Sequence, residues 1–73
     1  MKKGYIEVLE YINKKGKVFP ALSALTFGIR VDTMNRIFNE LRRQDYLEKV
    51  EREGKLACFI ITDKGREMVD NST

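Results

Sequence analysis

The side chains best suited to chemistry in this chain lie between Gly28 and Tyr46, in the stretch GIRVDTMNRIFNELRRQDY. Arg30, Thr33, Asn35, Arg36, Asn39 and Arg43 supply a row of hydrogen-bonding groups there. Arg and Asn are the side chains that bond guanine and adenine edges bidentately in a DNA major groove, and Arg, Lys and Thr meet phosphate oxygens. Further along, Lys49, Arg52 and Lys55 flank a Glu53-Gly54 turn, a cluster suited to a phosphate backbone. Asp32 fits this chemistry least, since a carboxylate repels phosphate. It is better suited to the free amides of a helix N-terminus, its other use being to accept from a cytosine amino group. A surface helix with a solvated polar face would carry the same residue types, so the weight falls on the elements that position them.

Other chemistries are poorly provided for. There is no histidine, and Cys58 is the only cysteine. That excludes Cys/His zinc sites, Ser-His-Asp triads and an intramolecular disulfide. Asp and Glu stand in no metal or acid–base pattern, and so small a domain offers little concave pocket. No enzyme activity, metal, cofactor or small-molecule ligand is therefore expected. A single thiol suits a reducing cytoplasm or an intermolecular bridge; an inert buried thiol is the plainer reading. No apolar run reaches the ~18 residues of a membrane span. The opening MKKGYIEVLEYINKK carries Glu7 and Glu10, which a signal peptide would not, so the expected location is cytoplasmic, away from any membrane. At 73 residues, 42% hydrophobic and 34% charged, the chain reads as one folded domain, 1–73. A net charge of +3 leans gently toward a polyanionic partner.

The positioning elements follow from periodicity. Residues 3 to 15 read as a first helix, with Tyr5, Val8, Leu9 and Ile12 on one stripe and Ile6 and Tyr11 flanking it. This wide apolar arc implies contact with several elements of the same chain, or Ile6 or Tyr11 facing a second subunit. Lys17, Val18 and Phe19 make a short β-prone stretch. Pro20 suits the first position of a second helix to about Phe27. No residue from Val18 to Ile29 is charged, so this helix is expected to be buried nearly all round, wedged between its neighbours, with Ser23 and Thr26 as its polar edge. Gly28 supplies a tight turn and Ile29 an apolar plug beneath it. A third helix begins within Arg30 to Thr33 and ends near Asp45, with Met34, Ile37, Phe38 and Leu41 on its inner stripe. Leu47 to Arg52 and Lys55 to Ile61 read as a hairpin. Ala57, Phe59 and Ile61 point inward, while Leu56, Cys58 and Ile60 make an outer face also apolar enough to need a cover. Thr62-Asp63 opens a short last helix, weakened by Gly65 and tacked down by Met68 and Val69.

The order helix, short strand, helix, turn, helix, hairpin, short helix is that of a winged helix-turn-helix. ALSALTFGIRVDTMNRIFNELRRQDYLEKV resembles the helix-turn-helix of MarR-, PadR- and ArsR-like transcription regulators. Leu22 and Leu25 fall at that motif's helix-2 core, Gly28 and Ile29 at its turn, and Met34, Phe38 and Leu41 at its helix-3 core. ITDKGREMV resembles the Leu-Thr-x-x-Gly segment that leaves the wing in many of these proteins, through Ile61, Thr62 and Gly65. Family members often have Gly where Asp45 stands. Larger members carry a long terminal helix for dimerisation, for which this chain has no room; its size is closer to minimal winged-helix proteins of archaea and their viruses. The resemblance implies an α+β fold: a three-helix core, a two- to three-stranded antiparallel β-wing and a short C-terminal helix. It also implies a third helix in the major groove, with Arg30, Thr33, Asn35, Arg36 and Asn39 at base edges or nearby phosphates and Arg43 further along the backbone. Lys49, Arg52 and Lys55 would then lie on the wing, against backbone or minor groove.

The expected function is thus a sequence-specific, non-catalytic regulator bound to double-stranded DNA as a homodimer, since one such module covers little DNA. The alternative is a winged helix that binds protein rather than DNA, which an apolar outer wing face would favour.

Overall fold

The computed structural model describes residues 3–51 and 57–72. Its elements are α1 (Lys3–Lys15), β1 (Lys17–Val18), α2 (Pro20–Phe27), α3 (Val31–Arg43), β2 (Leu47–Glu51), β3 (Ala57–Ile61) and α4 (Asp63–Ser72). The strands form one antiparallel sheet in the order β1-β3-β2. Register places Leu47 opposite Ile61, Lys49 opposite Phe59 and Val18 opposite Phe59 on the other side. This is the α+β architecture expected, with β1 making the wing sheet three-stranded.

The interior is built from inward stripes spaced for helices. Val8, Leu9 and Ile12 come from α1, and Met34, Phe38 and Leu41 from α3; all are buried. Phe59 and Ile61 close the core from the sheet side. The Phe38 and Phe59 rings meet edge-on at 5.0 Å, a favoured aromatic geometry that fixes α3 to the wing. Tyr11 meets Phe27 in the same way at 5.3 Å. The flank of α1 that carries Tyr11 is thereby occupied by the chain's own α2.

Two expectations for α2 fail. Leu22 and Leu25 are 59% and 78% exposed, and Ile29 is 37% exposed. The inward stripe is instead Ser23, Ala24 and the half-buried Phe27. Uncharged composition made the helix look buried all round, but an eight-residue helix packed on α3 hides only one side. The small Ser23 and Ala24, both fully buried, let the two backbones approach, so the leucines face outward. Ser23 is accordingly no part of a polar edge, and its hydroxyl has no hydrogen-bond partner among the described residues. Thr26 makes a local bond within the helix, donating back to the Leu22 carbonyl at 3.0 Å. The outer sheet face is also not wet: Cys58 is fully buried and its Sγ lies 3.4 Å from the Val50 carbonyl oxygen, while α4 packs on both β3 and α1.

Both ends of the helix-turn-helix stop on left-handed residues. At Gly28 φ is 67°, and the amides of Gly28 and Ile29 donate back to Leu25 and Ala24. At the far end of α3 the same double bond is made by Asp45 and Tyr46, to Arg42 at 2.9 Å and Leu41 at 2.9 Å. Asp45 holds φ at 68°, so it makes the left-handed turn that glycine makes more easily. The helix itself stops at Arg43, two residues short of where periodicity alone put it.

The start of α4 grips this turn. The Thr62 hydroxyl donates to the Asp45 carbonyl at 2.6 Å and accepts from the Gly65 amide at 3.0 Å. The Thr62 amide donates to the Tyr46 carbonyl at 3.1 Å. Lys64 Nζ donates to the Gln44 carbonyl at 3.0 Å and sits 5.1 Å from the centre of the Tyr46 ring. Gly65 is buried where a Cβ would strike the Tyr46 carbonyl oxygen and come within 2.6 Å of Ile61 Cγ1.

Gly65→Ala should therefore destabilise the fold by about 3 kcal/mol, a backbone clash outweighing the ~1 kcal/mol that alanine gains over glycine in a helix. Urea denaturation checks it, and a neutral result would contradict the close approach. Asp45→Gly should act the other way, gaining about 0.5–1 kcal/mol by relieving the left-handed strain, with Asp45→Ala losing stability. Thermal midpoints of the two Asp45 variants should straddle the parent's.

Candidate nucleic-acid interface

With Met34, Phe38 and Leu41 fully buried, geometry dictates what α3 shows to solvent. At about 100° per residue, Asp32, Arg36, Asn39 and Arg43 lie opposite the buried stripe, and all four are exposed. Asn35 and Arg42 stand on one side of that line, toward the wing, with Thr33 on the other. Arg30 precedes the helix in extended conformation and makes no side-chain cap bond. Asp32 therefore does not occupy the cap position itself. It lies in the first turn, where its charge suits the helix dipole, and it faces the Arg30 guanidinium at 3.8 Å. Both partners are exposed, so the pair adds little stability; its effect is to offset a negative charge in the centre of a basic face.

The wing meets the helix along one side. A cleft of about 360 Å³ runs between them, lined by Asn35 and Asn39 from α3, Lys49 from β2 and Phe59 from β3, with Val31 and Ala21 at its other end. A second hollow, about 390 Å³, is lined by Asn39, Arg42 and Arg43. A third joins Arg42 to Lys49, Asp45 and Thr62. The structure thus brings Asn35, Asn39 and Lys49 together, and Arg43 with Asn39. Arg30, Thr33 and Arg36 are exposed on or just before the first turns of α3 and line none of these hollows. Arg52 and Lys55 lie outside the described residues.

Sequence reasoning passed over Arg42. It lines two of the three hollows and stands between the helix and β2. The signal was present: Arg42 follows Asn39 by three residues and Asn35 by seven, the spacing of one helical edge. Its neighbour Arg43 drew attention because it lies nearer the centre of the polar face. Arg42 also closes the link to the α4 grip, since its carbonyl accepts from the Asp45 amide.

Chemically, this face can donate to phosphates from Arg42, Arg43 and Lys49 and to base edges from Asn35, Arg36 and Asn39. Among the described residues, no group of three or more His, Cys, Asp or Glu is placed to hold a metal ion. No described helix is long and apolar enough to cross a membrane.

No protein-family model and no curated protein matches the chain. Solved structures match closely in shape. FabT of Streptococcus pneumoniae, in complex with DNA, superposes with a TM-score of 0.90 at 22% identity, over 99% of this chain and 52% of that one. A mutant MarR of E. coli complexed with operator DNA gives 0.90 at 12% identity, over 97% and 52%. The transcriptional regulator SlyA gives 0.89 at 16% identity, over 97% and 51%. The chain thus spans about half the length of these proteins. Agreement at this level over nearly every residue, on a helix–strand–helix–turn–helix–hairpin–helix order reached independently from the sequence, identifies the fold: this chain is a winged helix-turn-helix of the kind seen in the MarR-type regulators.

Proposed function

We propose that the protein is a sequence-specific double-stranded DNA-binding transcriptional regulator that acts without catalysis. The observation that carries this reading is the cleft in which Asn35 and Asn39 of α3 face Lys49 of the wing. It sets base-reading side chains beside a phosphate-binding one along a helix whose apolar side is fully used by the core. In the proposed complex α3 enters the major groove, Arg36 with Asn35 or Asn39 contacts base edges, and Arg30, Thr33, Arg42, Arg43 and Lys49 meet the backbone. That FabT and the MarR mutant were solved with DNA supports DNA as the partner. Two copies on a palindromic site would supply the contact area that one module lacks, roughly 600–1,000 Å². A cytoplasmic homodimer is the assembly proposed.

A second reading, a winged helix that binds protein, is favoured by the exposed Leu22 and Leu25 on α2. It loses the support expected from the outer wing face, since Cys58 there is already buried. Retention of a protein partner by a chain that binds no duplex at low salt would select it.

Selection from random duplex DNA at near-physiological salt should enrich one palindromic site; a flat titration against every duplex in dilute buffer would overturn the DNA-binding reading. On the selected site, Arg36→Ala should cost about 1–3 kcal/mol and relax one base position. Arg42→Ala should instead weaken binding to specific and random DNA alike and lower the salt slope by about 1. Fluorescence anisotropy across a salt series separates the two, and equal losses from both variants on all DNA would contradict this division of roles.

A further inference from the structure

The edge of α3 that faces the wing is chemically uneven. On the helical wheel Val31, Asn35, Asn39 and Arg42 lie within an arc of about 80°, yet only Arg42, at the far end, is charged. The near end is Val31, the first residue of the helix. It is 45% exposed although it is apolar and β-branched, and it lines the cleft with Asn35 and Ala21. The core does not use this side chain: Met34, Phe38 and Leu41 complete the buried stripe of α3.

We infer that Val31 reads the methyl group of a thymine, beside an adenine bonded by Asn35. The inference rests on the DNA-binding reading above and deepens it. The first residues of a recognition helix reach base edges. A valine brought there can make no hydrogen bond, and pressing it on a base donor or acceptor would leave that group unpaired. In the major groove the C5 methyl of thymine is the group an apolar side chain matches. Asn35 stands four residues further along the same edge, about 6 Å along the axis, against about 3.4 Å between successive bases. Its amide therefore falls one or two base pairs from the thymine, where adenine N6 donates and N7 accepts in the pattern an Asn side chain completes. Asp32 is the competing reader at the same end of the helix; if it dominated, this position would be a cytosine.

The test uses the duplex selected from random sequence and needs no ligand beyond it. Each thymine of a half-site is replaced in turn by deoxyuridine, which removes the methyl and leaves the pairing intact. With the parent protein, one replacement per half-site should weaken binding about fourfold, the equivalent of ~0.8 kcal/mol for one buried carbon. Val31→Ala should bind the thymine and deoxyuridine duplexes equally, with an unchanged melting temperature because the side chain is exposed in the free protein. A half-site without a sensitive thymine, read with the parent protein alone, overturns the proposal. So does a Val31→Ala variant that keeps the fourfold effect, since another side chain then reads the methyl. Failure of the DNA-binding reading is a separate result, because no duplex would have been enriched at all.

Discussion

One hydroxyl, that of Thr62, sits at the point on which the recognition face depends. It donates to the carbonyl of Asp45 and accepts from the amide of Gly65, so the last turn of α3 and the first turn of α4 share a single atom. The bond to Asp45 is solvent-exposed and that from Gly65 part-buried, so each adds a net contribution of about 0.5–1.5 kcal/mol. Thr62 thus caps the first turn of α4 and holds the turn after α3 at once, and the absence of a side chain at Gly65 allows the approach. The direction in which α3 leaves the core is set here, and with it the angle between its polar face and the wing.

The other constraints on α3 act along its length. The turn at Gly28 and Ile29 fixes where the helix begins, and Phe38 against Phe59 ties its middle to β3. Held at three points, the helix cannot roll about its axis without breaking an aromatic contact or a capped end. This rigidity suits a site whose selectivity would depend on side chains arriving at fixed depths. The thin interior of a 73-residue chain leaves no large core to share that task.

Most of this was legible in the residues. Helix 1 and helix 2 fall where periodicity and Pro20 place them, because their ends carry local signals. Thr62 was legible as a helix cap and Gly65 as a weak point in the last helix, with resemblance adding to both; the reason for the pair emerged only when Asp45 and Tyr46, distant in sequence, were found beside them. Helix 2 was misread because hydrophobicity was summed around its circumference. Contact with α3 selects for small size, so Ser23 and Ala24 go in and two leucines stay out. Size-matched packing between helices has no signature in a single sequence. Arg42's spacing from Asn35 and Asn39 marked it in the sequence, but its place beside β2, which approaches from another part of the chain, did not show there.

The hydrogen bond from Thr62 to Tyr46 also joins the residue before β2 to the residue after β3. Everything between them is an excursion that leaves and returns at one closed base. Within it, β3 stays tied to β1 and, through Phe59, to α3. Residues inserted far from that base would cost only the slowly growing entropy of a longer loop, about 0.6 kcal/mol per doubling, while the helices kept their places. In the proposed DNA complex, the wing's reach along a duplex and the bases addressed by α3 would then be able to vary as separate traits.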